Sequence, residues 1–156
     1  MKTIVLLLIL SIGLLTCGCG KKLEDNSDLL KYKNEMTSFF DDLEEMDTEI
    51  QKINPESSDS VEKLLNAFDA LENDFKKLAD IEIPEDFPYN RTLADDAYSY
   101  MQQANEYMTQ AFEDNDFKQN VFDAAMECYK RANKRVKYII TFLHGETPDD
   151  ENISFE

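Results

Sequence analysis

The chain is poor in the residue types on which tight turns and acid–base catalysis depend. Its 156 residues include four glycines, no tryptophan and a single histidine, His144. Because sandwiches and barrels need many tight turns, so few glycines argue against an all-β fold. The base of a hydrolase is most often a histidine, and the sequence has no GxSxG, HExxH, ExxH, phosphate-loop or dinucleotide-binding motif. We therefore expect a protein that is not an enzyme, with no catalytic residues, no metal site and no cofactor.

Positive charge is also scarce. Lysine and arginine number 16 against 33 aspartates and glutamates, which gives a formal net charge of −17. Proteins that bind nucleic acid need clustered cations to release counterions from phosphates, so nucleic acid is not expected as a partner. The basic residues that do cluster, KRANKRVK at 130–137, are typical of a solvated helix face near a C-terminus. Hydrophobic residues make up 42% of the chain, which argues against general disorder.

Residues 29–78 contain two stretches in which apolar residues recur at alternating spacings of three and four. This is the period of a helix with one buried face. Pro55 should stop the first helix, and Asp59 with Glu62 has the spacing of a capping box at the start of the second. The predicted core positions are Leu29, Tyr32, Met36, Phe39, Leu43, Met46, Ile50 and Ile53, then Val61, Leu64, Phe68, Leu71, Phe75 and Leu78.

Two more such stretches follow a segment that cannot be one helix. Pro84 and Pro88 interrupt residues 81–92, whose apolar side chains can pack over one end of a bundle. We expect Thr92 to cap the third helix, and His144-Gly145 to end the fourth. Their predicted core positions are Ala94, Ala97, Met101, Ala104, Met108 and Ala111, then Val121, Ala125, Cys128, Ala132, Val136, Ile139 and Leu143.

Four helices with matching apolar faces predict an all-α fold. We expect an antiparallel four-helix, up-and-down bundle over residues 27–144, or alternatively paired helical hairpins packed less regularly. The alanines of the third and fourth helices should let those two approach closely. Residues 145–156 are acidic and aperiodic, and we interpret them as a disordered tail.

The first 22 residues differ from the rest. Lys2 precedes a nearly unbroken apolar stretch of 13 residues, 4–16, which has the layout of a secretory signal and is shorter than the roughly 20 residues of a transmembrane helix. The segment LLTCGCGK at 14–21 resembles the lipobox of bacterial lipoproteins. That resemblance implies cleavage before a cysteine whose sulfur carries a diacylglycerol. We favour Cys19, which follows a small glycine, and keep Cys17, which has a leucine three residues before it, as the alternative.

This resemblance divides the chain into a signal peptide, 1–18, a lipid-anchored linker, 19–26, and the bundle. Removal of residues 1–18 leaves 15 basic against 33 acidic residues, a net charge of −18. The resemblance implies a location at the cell membrane, lipid-anchored and facing the extracytoplasmic side. We expect a non-enzymatic binding or interaction module at the cell envelope, with an envelope protein, a peptide or a glycan as its partner.

Aromatic residues crowd the third helix and its flanks beyond what one buried face can hold. Tyr89, Tyr98, Tyr100 and Tyr107 are the candidate ligand or partner surface. The simpler interpretation is that they pack against the segment at 81–92.

A second functional hypothesis is a helical-bundle carrier of a hydrophobic ligand such as haem. In an up-and-down bundle Met36 and His144 lie toward the same end, as axial ligands do in soluble b-type haem bundles. Methionine at such a position is more often core filler. Cys128 falls on the predicted core face of the fourth helix, so we expect a buried, inert thiol.

Overall fold

A computed structural model describes residues 27–85, 87, 91–113 and 117–148. Four helices occupy most of these ranges: α1 is Ser27–Gln51, α2 is Ser60–Asp80, α3 is Thr92–Ala111 and α4 is Gln119–Leu143. No strand occurs in these ranges, so the predicted all-α fold is confirmed. The predicted signal peptide, the lipid-anchored linker and residues 149–156 of the predicted tail lie outside the described residues.

Consecutive helices run antiparallel, as contacts between them show. Phe39 of α1 meets Phe75 of α2, with ring centroids 5.6 Å apart, and Lys31 lies 3.3 Å from Glu82 just beyond the end of α2. Arg135 of α4 approaches Asp96 of α3 at 4.0 Å. The four-helix bundle is therefore up-and-down. We call the end at which α1 begins and α4 ends the N-terminal end, and the opposite end the distal end.

The closest backbone packing is between α3 and α4. Their alanines Ala97, Ala104, Ala125 and Ala132 are wholly buried. Because a methyl side chain occupies little space between two helix axes, it allows a short interaxial distance. The packing of α2 against α3, and then of α1 against α2, is progressively less close, as expected for interfaces filled by phenylalanine and leucine. The predicted close approach of α3 and α4 is confirmed.

The buried face of α4 differs from the predicted one. The buried residues are Phe122, Tyr129 and Phe142. The predicted residues Val121, Cys128 and Leu143 are adjacent to these in the sequence and are only half-buried. One residue turns the helix by 100°, so two adjacent positions can flank one core face. An aromatic ring reaches further inward than valine, cysteine or leucine and takes the interior position. The six predicted core positions of α3 are all buried.

In α1 and α2 the observed buried positions differ from the predicted ones only near the connection between these two helices, residues 52–59. Val61 is exposed, and Met46, Ile53 and Leu64 are half-buried. These residues lie at the distal end of the bundle. The other predicted core residues of α1 and α2 are buried.

The helix termini show which capping predictions hold. Gly145 has φ of 75°, its amide donates to the carbonyl of Phe142 at 2.9 Å, and the Glu146 amide donates to Thr141 at 3.1 Å. This is a Schellman motif, and the predicted end of α4 is confirmed. The capping box at Asp59 is wrong: its carboxylate makes no cap hydrogen bond and instead pairs with Lys63 at 2.8 Å. Thr92 is the first residue of α3 and not its N-cap.

The segment after α2 closes the N-terminal end of the bundle. Phe87 is buried against Tyr32 of α1, with ring centroids 5.1 Å apart. The Arg91 guanidinium donates to the carbonyl oxygens of Ala79 at 2.5 Å and Ile81 at 3.5 Å. These carbonyls at the end of α2 lack helical partners, so Arg91 supplies the missing donors.

Candidate functional site

The structure describes only part of the predicted site. Cys17, Cys19 and Tyr89 lie outside the described residues. Tyr98, Tyr100 and Tyr107 lie on α3, and all three are half-buried with their rings packed against the core. Part of the tyrosine surface therefore belongs to the packing of the bundle.

The described tyrosines do not share one side of α3. Tyr98 and Tyr100 are two residues apart, which places their side chains about 200° apart around the helix. Tyr98 accepts a hydrogen bond from Gln102 at 3.1 Å. It lies on the side of α2 near Lys76, whose pKa is raised mainly by a hydrogen bond to Asp80 and to a smaller extent by Tyr98. Tyr107 follows Tyr100 by two turns and lies on the same side, toward α4.

Tyr100 forms the most developed polar cluster of this surface, with two arginines of α4. The guanidinium carbon of Arg135 lies 4.8 Å from the centroid of the Tyr100 ring, and that of Arg131 lies 5.8 Å away. Both distances are in the range of cation–π attraction. The hydrogen bond from Arg131 to Glu127, at 3.2 Å, is the main cause that raises the pKa of Arg131.

This cluster, Tyr100 with Arg131 and Arg135, has the composition of a binding surface. Tyrosine and arginine are enriched among residues that contribute most to protein–protein affinity. Arg131 is exposed. Its planar guanidinium has five N–H donors, and the carboxylate of Glu127 accepts a hydrogen bond from one of them. The tyrosine was found from the sequence, but the arginines were not. Their signal was the spacing of four within the basic segment 130–137.

A second basic feature lies beside this cluster. Lys130, Lys134 and Lys137 are exposed on α4 at spacings of four and three, which puts them on one face of the helix. The ammonium nitrogen of Lys134 lies 5.6 Å from the centroid of the Tyr138 ring. We call these three residues the lysine row.

An open groove lies between α1 and α2 near the N-terminal end. It encloses about 340 Å³ and is lined by Glu35, Ser38, Phe39, Asp42, Lys77, Asp80 and Ile81. Lys77 donates to Asp74 at 2.6 Å and lies 3.7 Å from Asp42. The bond to Asp74, which is only 7% exposed, is the main cause that raises the pKa of Lys77. Sequence reasoning missed this pairing, which explains why an aspartate is buried on the core face of α2.

Another acid lies between α1 and α4. Asp47 accepts a hydrogen bond from Gln51 at 2.7 Å, while its Oδ1 atom is buried without a partner. Burial raises the pKa of Asp47, and the hydrogen bond from Gln51 opposes this. Burial also raises the pKa of the Tyr129 hydroxyl, to which the nearby Asp47 charge adds. Burial is the main cause of this raised pKa, and a hydrogen bond with Asn133 opposes it.

The two residues proposed as haem ligands occupy different environments. Met36 is 1% exposed within the core, whereas His144 is exposed after the last turn of α4. The geometry therefore gives no support to a haem site built from this pair. Among the described residues, no three histidine, cysteine, aspartate or glutamate side chains are grouped to hold a metal ion.

Cys128 is a free, half-buried cysteine and not the fully buried one expected. Burial raises the pKa of its thiol, although the nearby Arg131 acts in the opposite direction. A raised pKa lowers the thiolate fraction at neutral pH, and the thiolate is the reactive form. The structure thus agrees with a weakly reactive thiol.

None of the four helices is long and apolar enough to span a bilayer, as judged over the described ranges. Comparison with known protein families, with curated proteins and with solved structures found no match to this chain.

Proposed function

We propose that this chain is a lipid-anchored protein of the bacterial cell envelope, held on the extracytoplasmic side of the membrane through an acylated Cys19. The observation that carries the proposal is the lipobox-like segment at 14–21, which ends an apolar stretch. The bundle begins at Ser27, eight residues after Cys19, so the proposed anchor and the folded domain occupy separate parts of the chain. Each buried methylene contributes about 0.8 kcal/mol, so two or more acyl chains give stable attachment.

The domain's role in this proposal is binding without catalysis. The sequence has no motif that pairs a nucleophile with a base, and Tyr100 with its two arginines supplies residue types common at binding sites. An envelope protein, a peptide or a glycan is the class of partner. The net charge of −18 after cleavage keeps a tethered domain soluble above the membrane.

The anchor is tested on the purified protein by mass spectrometry of its N-terminal peptide. We expect a peptide that begins at Cys19 and carries the mass of a diacylglycerol. A Cys128→Ser variant is the matched control, because it removes the third cysteine and should keep the modification. An N-terminal peptide that carries no lipid on Cys19 or on Cys17 would overturn the proposal.

The binding role is tested in cells with a photo-cross-linking residue at Gln103, which is exposed on α3 about one turn from Tyr100. We expect a defined adduct that disappears when Arg131→Ala is added. The control position is Thr48, which is exposed on α1. Adducts that are the same at both positions and insensitive to Arg131→Ala would contradict a partner surface on this side of the bundle.

A further inference from the structure

The two ends of the bundle differ in how their apolar side chains are covered. At the N-terminal end Phe87 lies over the core and packs against Tyr32, with ring centroids 5.1 Å apart. At the distal end Val61 is 39% exposed and Phe117 is 38% exposed. Among the described residues, Leu30 at 54% is the only other exposed side chain of this large apolar kind. Two of the three exposed large apolar side chains of the described chain therefore lie at the distal end.

Val61 and Phe117 belong to one apolar surface. The rings of Phe68 and Tyr129, on the parallel helices α2 and α4, have centroids 5.8 Å apart. Val61 precedes Phe68, and Phe122 precedes Tyr129, by almost two full turns, or about 10 Å along each helix axis. Val61 and Phe122 therefore lie at the same level and face the same part of the core. The Phe117 ring lies 5.7 Å from the ring of Phe122. We call Val61 and Phe117 together the distal patch.

Carboxylates are in large excess in the part of the bundle that carries the distal patch. Residues 44–66, 106–113 and 117–127, which we call the distal region, contain eleven acidic and three basic residues, a formal charge of −8. The remaining described residues contain thirteen acidic and ten basic residues, a formal charge of −3. Lys52, Lys63 and Lys118 of the distal region each lie within 3.7 Å of a carboxylate oxygen of that region. The distal patch is thus framed by negative charge that these lysines do not balance.

The acidic surroundings determine what can cover the patch. A second copy of this chain would bring two regions of charge −8 together, and like charges oppose association. Anionic headgroups and nucleic-acid phosphates are repelled for the same reason. A positively charged protein segment meets the opposite condition, because complementary charge speeds the encounter and fixes the register. A large apolar side chain of that segment would be removed from water by the patch.

We propose that the distal end binds a cationic segment of a partner protein. A large apolar side chain of that segment packs against the distal patch, and its lysines or arginines pair with carboxylates of the distal region. Glu62 and Asp123 are exposed and follow Val61 and Phe122 in the sequence, so they supply the first of these carboxylates. This surface goes beyond the Tyr100 cluster, because Tyr100 lies about 17 Å along α3 from the distal end of that helix. It does not depend on the lipid anchor.

The test measures the binding of short labelled peptides to the full-length protein in a non-ionic detergent, by fluorescence anisotropy. The probe is a synthetic peptide with lysines on one helical face and with leucine and phenylalanine on the other. One control peptide has glutamate in place of every lysine, and the second has serine in place of every leucine and phenylalanine. The signal from detergent without protein is subtracted.

The probe should bind about tenfold or more tightly than either control peptide, because it alone offers both positive charge and an apolar anchor. Sodium chloride at about 1 M, where the Debye length is about 3 Å, should weaken this binding. Failure of the probe to bind, or equal binding of either control peptide, would overturn the inference.

Substitutions locate the binding on the protein. Val61→Ser should weaken binding of the probe about three- to tenfold, and Phe117→Ser about tenfold or more, because each removes apolar contact area. Glu62→Lys should weaken it about fivefold, because it reverses a charge beside the patch. The matched controls at the N-terminal end are Leu30→Ser, which also removes an exposed apolar side chain, and Glu85→Lys, which makes the same charge change. Each control should alter binding less than about twofold, because that end lies beyond the screening distance.

Circular dichroism checks that each variant keeps its helices, since the Phe117 ring also packs against Phe122. Val61→Ser and Glu62→Lys change exposed side chains and carry the test if Phe117→Ser unfolds. Equal loss of binding in Leu30→Ser and Val61→Ser would overturn the inference. Self-association that Val61→Ser abolishes would also overturn it, because a second copy would then occupy the patch. The lipid anchor is read separately, from the N-terminal peptide, so either proposal can fail without the other.

Discussion

The close contact between α3 and α4 depends on alanine at positions where no larger side chain fits. Ala104 is wholly buried in the middle of α3, on the face packed against the rest of the bundle. Ala104→Leu adds three carbon atoms at this point, and added atoms in a packed core force off-rotamer side chains and backbone shifts that cost about 1 to 3 kcal/mol. We expect the substitution to destabilise the protein by this amount, although leucine is a good helix former and more hydrophobic than alanine.

Urea unfolding followed by circular dichroism measures the effect. With a slope of about 2 kcal/mol per molar urea, the midpoint should fall by about 0.5 to 1.5 M. Gln103→Leu is the matched control, since it places the same side chain at the adjacent, exposed position, where about 0.5 kcal/mol or less is expected. An Ala104→Leu midpoint equal to that of Gln103→Leu would refute the inferred close packing.

Three further substitutions test local features. Burial raises the pKa of Asp47, so ionisation of its carboxyl group opposes folding at neutral pH. Asp47→Asn should therefore raise the melting temperature at pH 7. This gain should vanish below pH 3.8, the ordinary pKa of aspartate, because the carboxyl group is then protonated in both the folded and the unfolded chain. A gain that is the same at every pH would contradict this. Gly145→Ala should lower stability by about 1 to 2 kcal/mol in urea unfolding, because φ is 75° there; no change would disprove the Schellman end. Arg91→Ala should cost about 1 to 3 kcal/mol by the same assay, since it strands two carbonyls, whereas an unchanged midpoint would show that water replaces the guanidinium.

The helices and most of their buried faces were predictable because one physical signal dominates them. Each helix buries a narrow apolar face, and the spacing of three and four records that face directly. The predicted alanine contact of α3 with α4 followed from side-chain size alone. The buried face of α4 was predicted wrongly in part, because Cys128 and Tyr129 both border the core. Which of them enters the interior depends on the space left by Phe68 of α2, whose ring centroid lies 5.8 Å from that of Tyr129.

The candidate site was harder to predict, because it depends on contacts between helices. Tyr98 and Tyr100 are two residues apart in the sequence, yet the helix directs their side chains toward different neighbouring helices, α2 and α4. The arginines beside Tyr100 come from α4, more than thirty residues later. The pairing of buried Asp74 with Lys77 is local, but its burial depends on where α1 packs. Local patterns carry no information on these relative rotations.

The central claim, that a lipid on a cysteine near residue 19 holds this acidic bundle at the membrane, is tested most directly by growing cells with an alkynyl fatty acid. The account predicts that the wild-type chain and a Cys17→Ser variant acquire the label, and that Cys19→Ser does not. Label lost in Cys17→Ser and retained in Cys19→Ser would move the anchor by two residues. A wild-type chain without label would contradict the account.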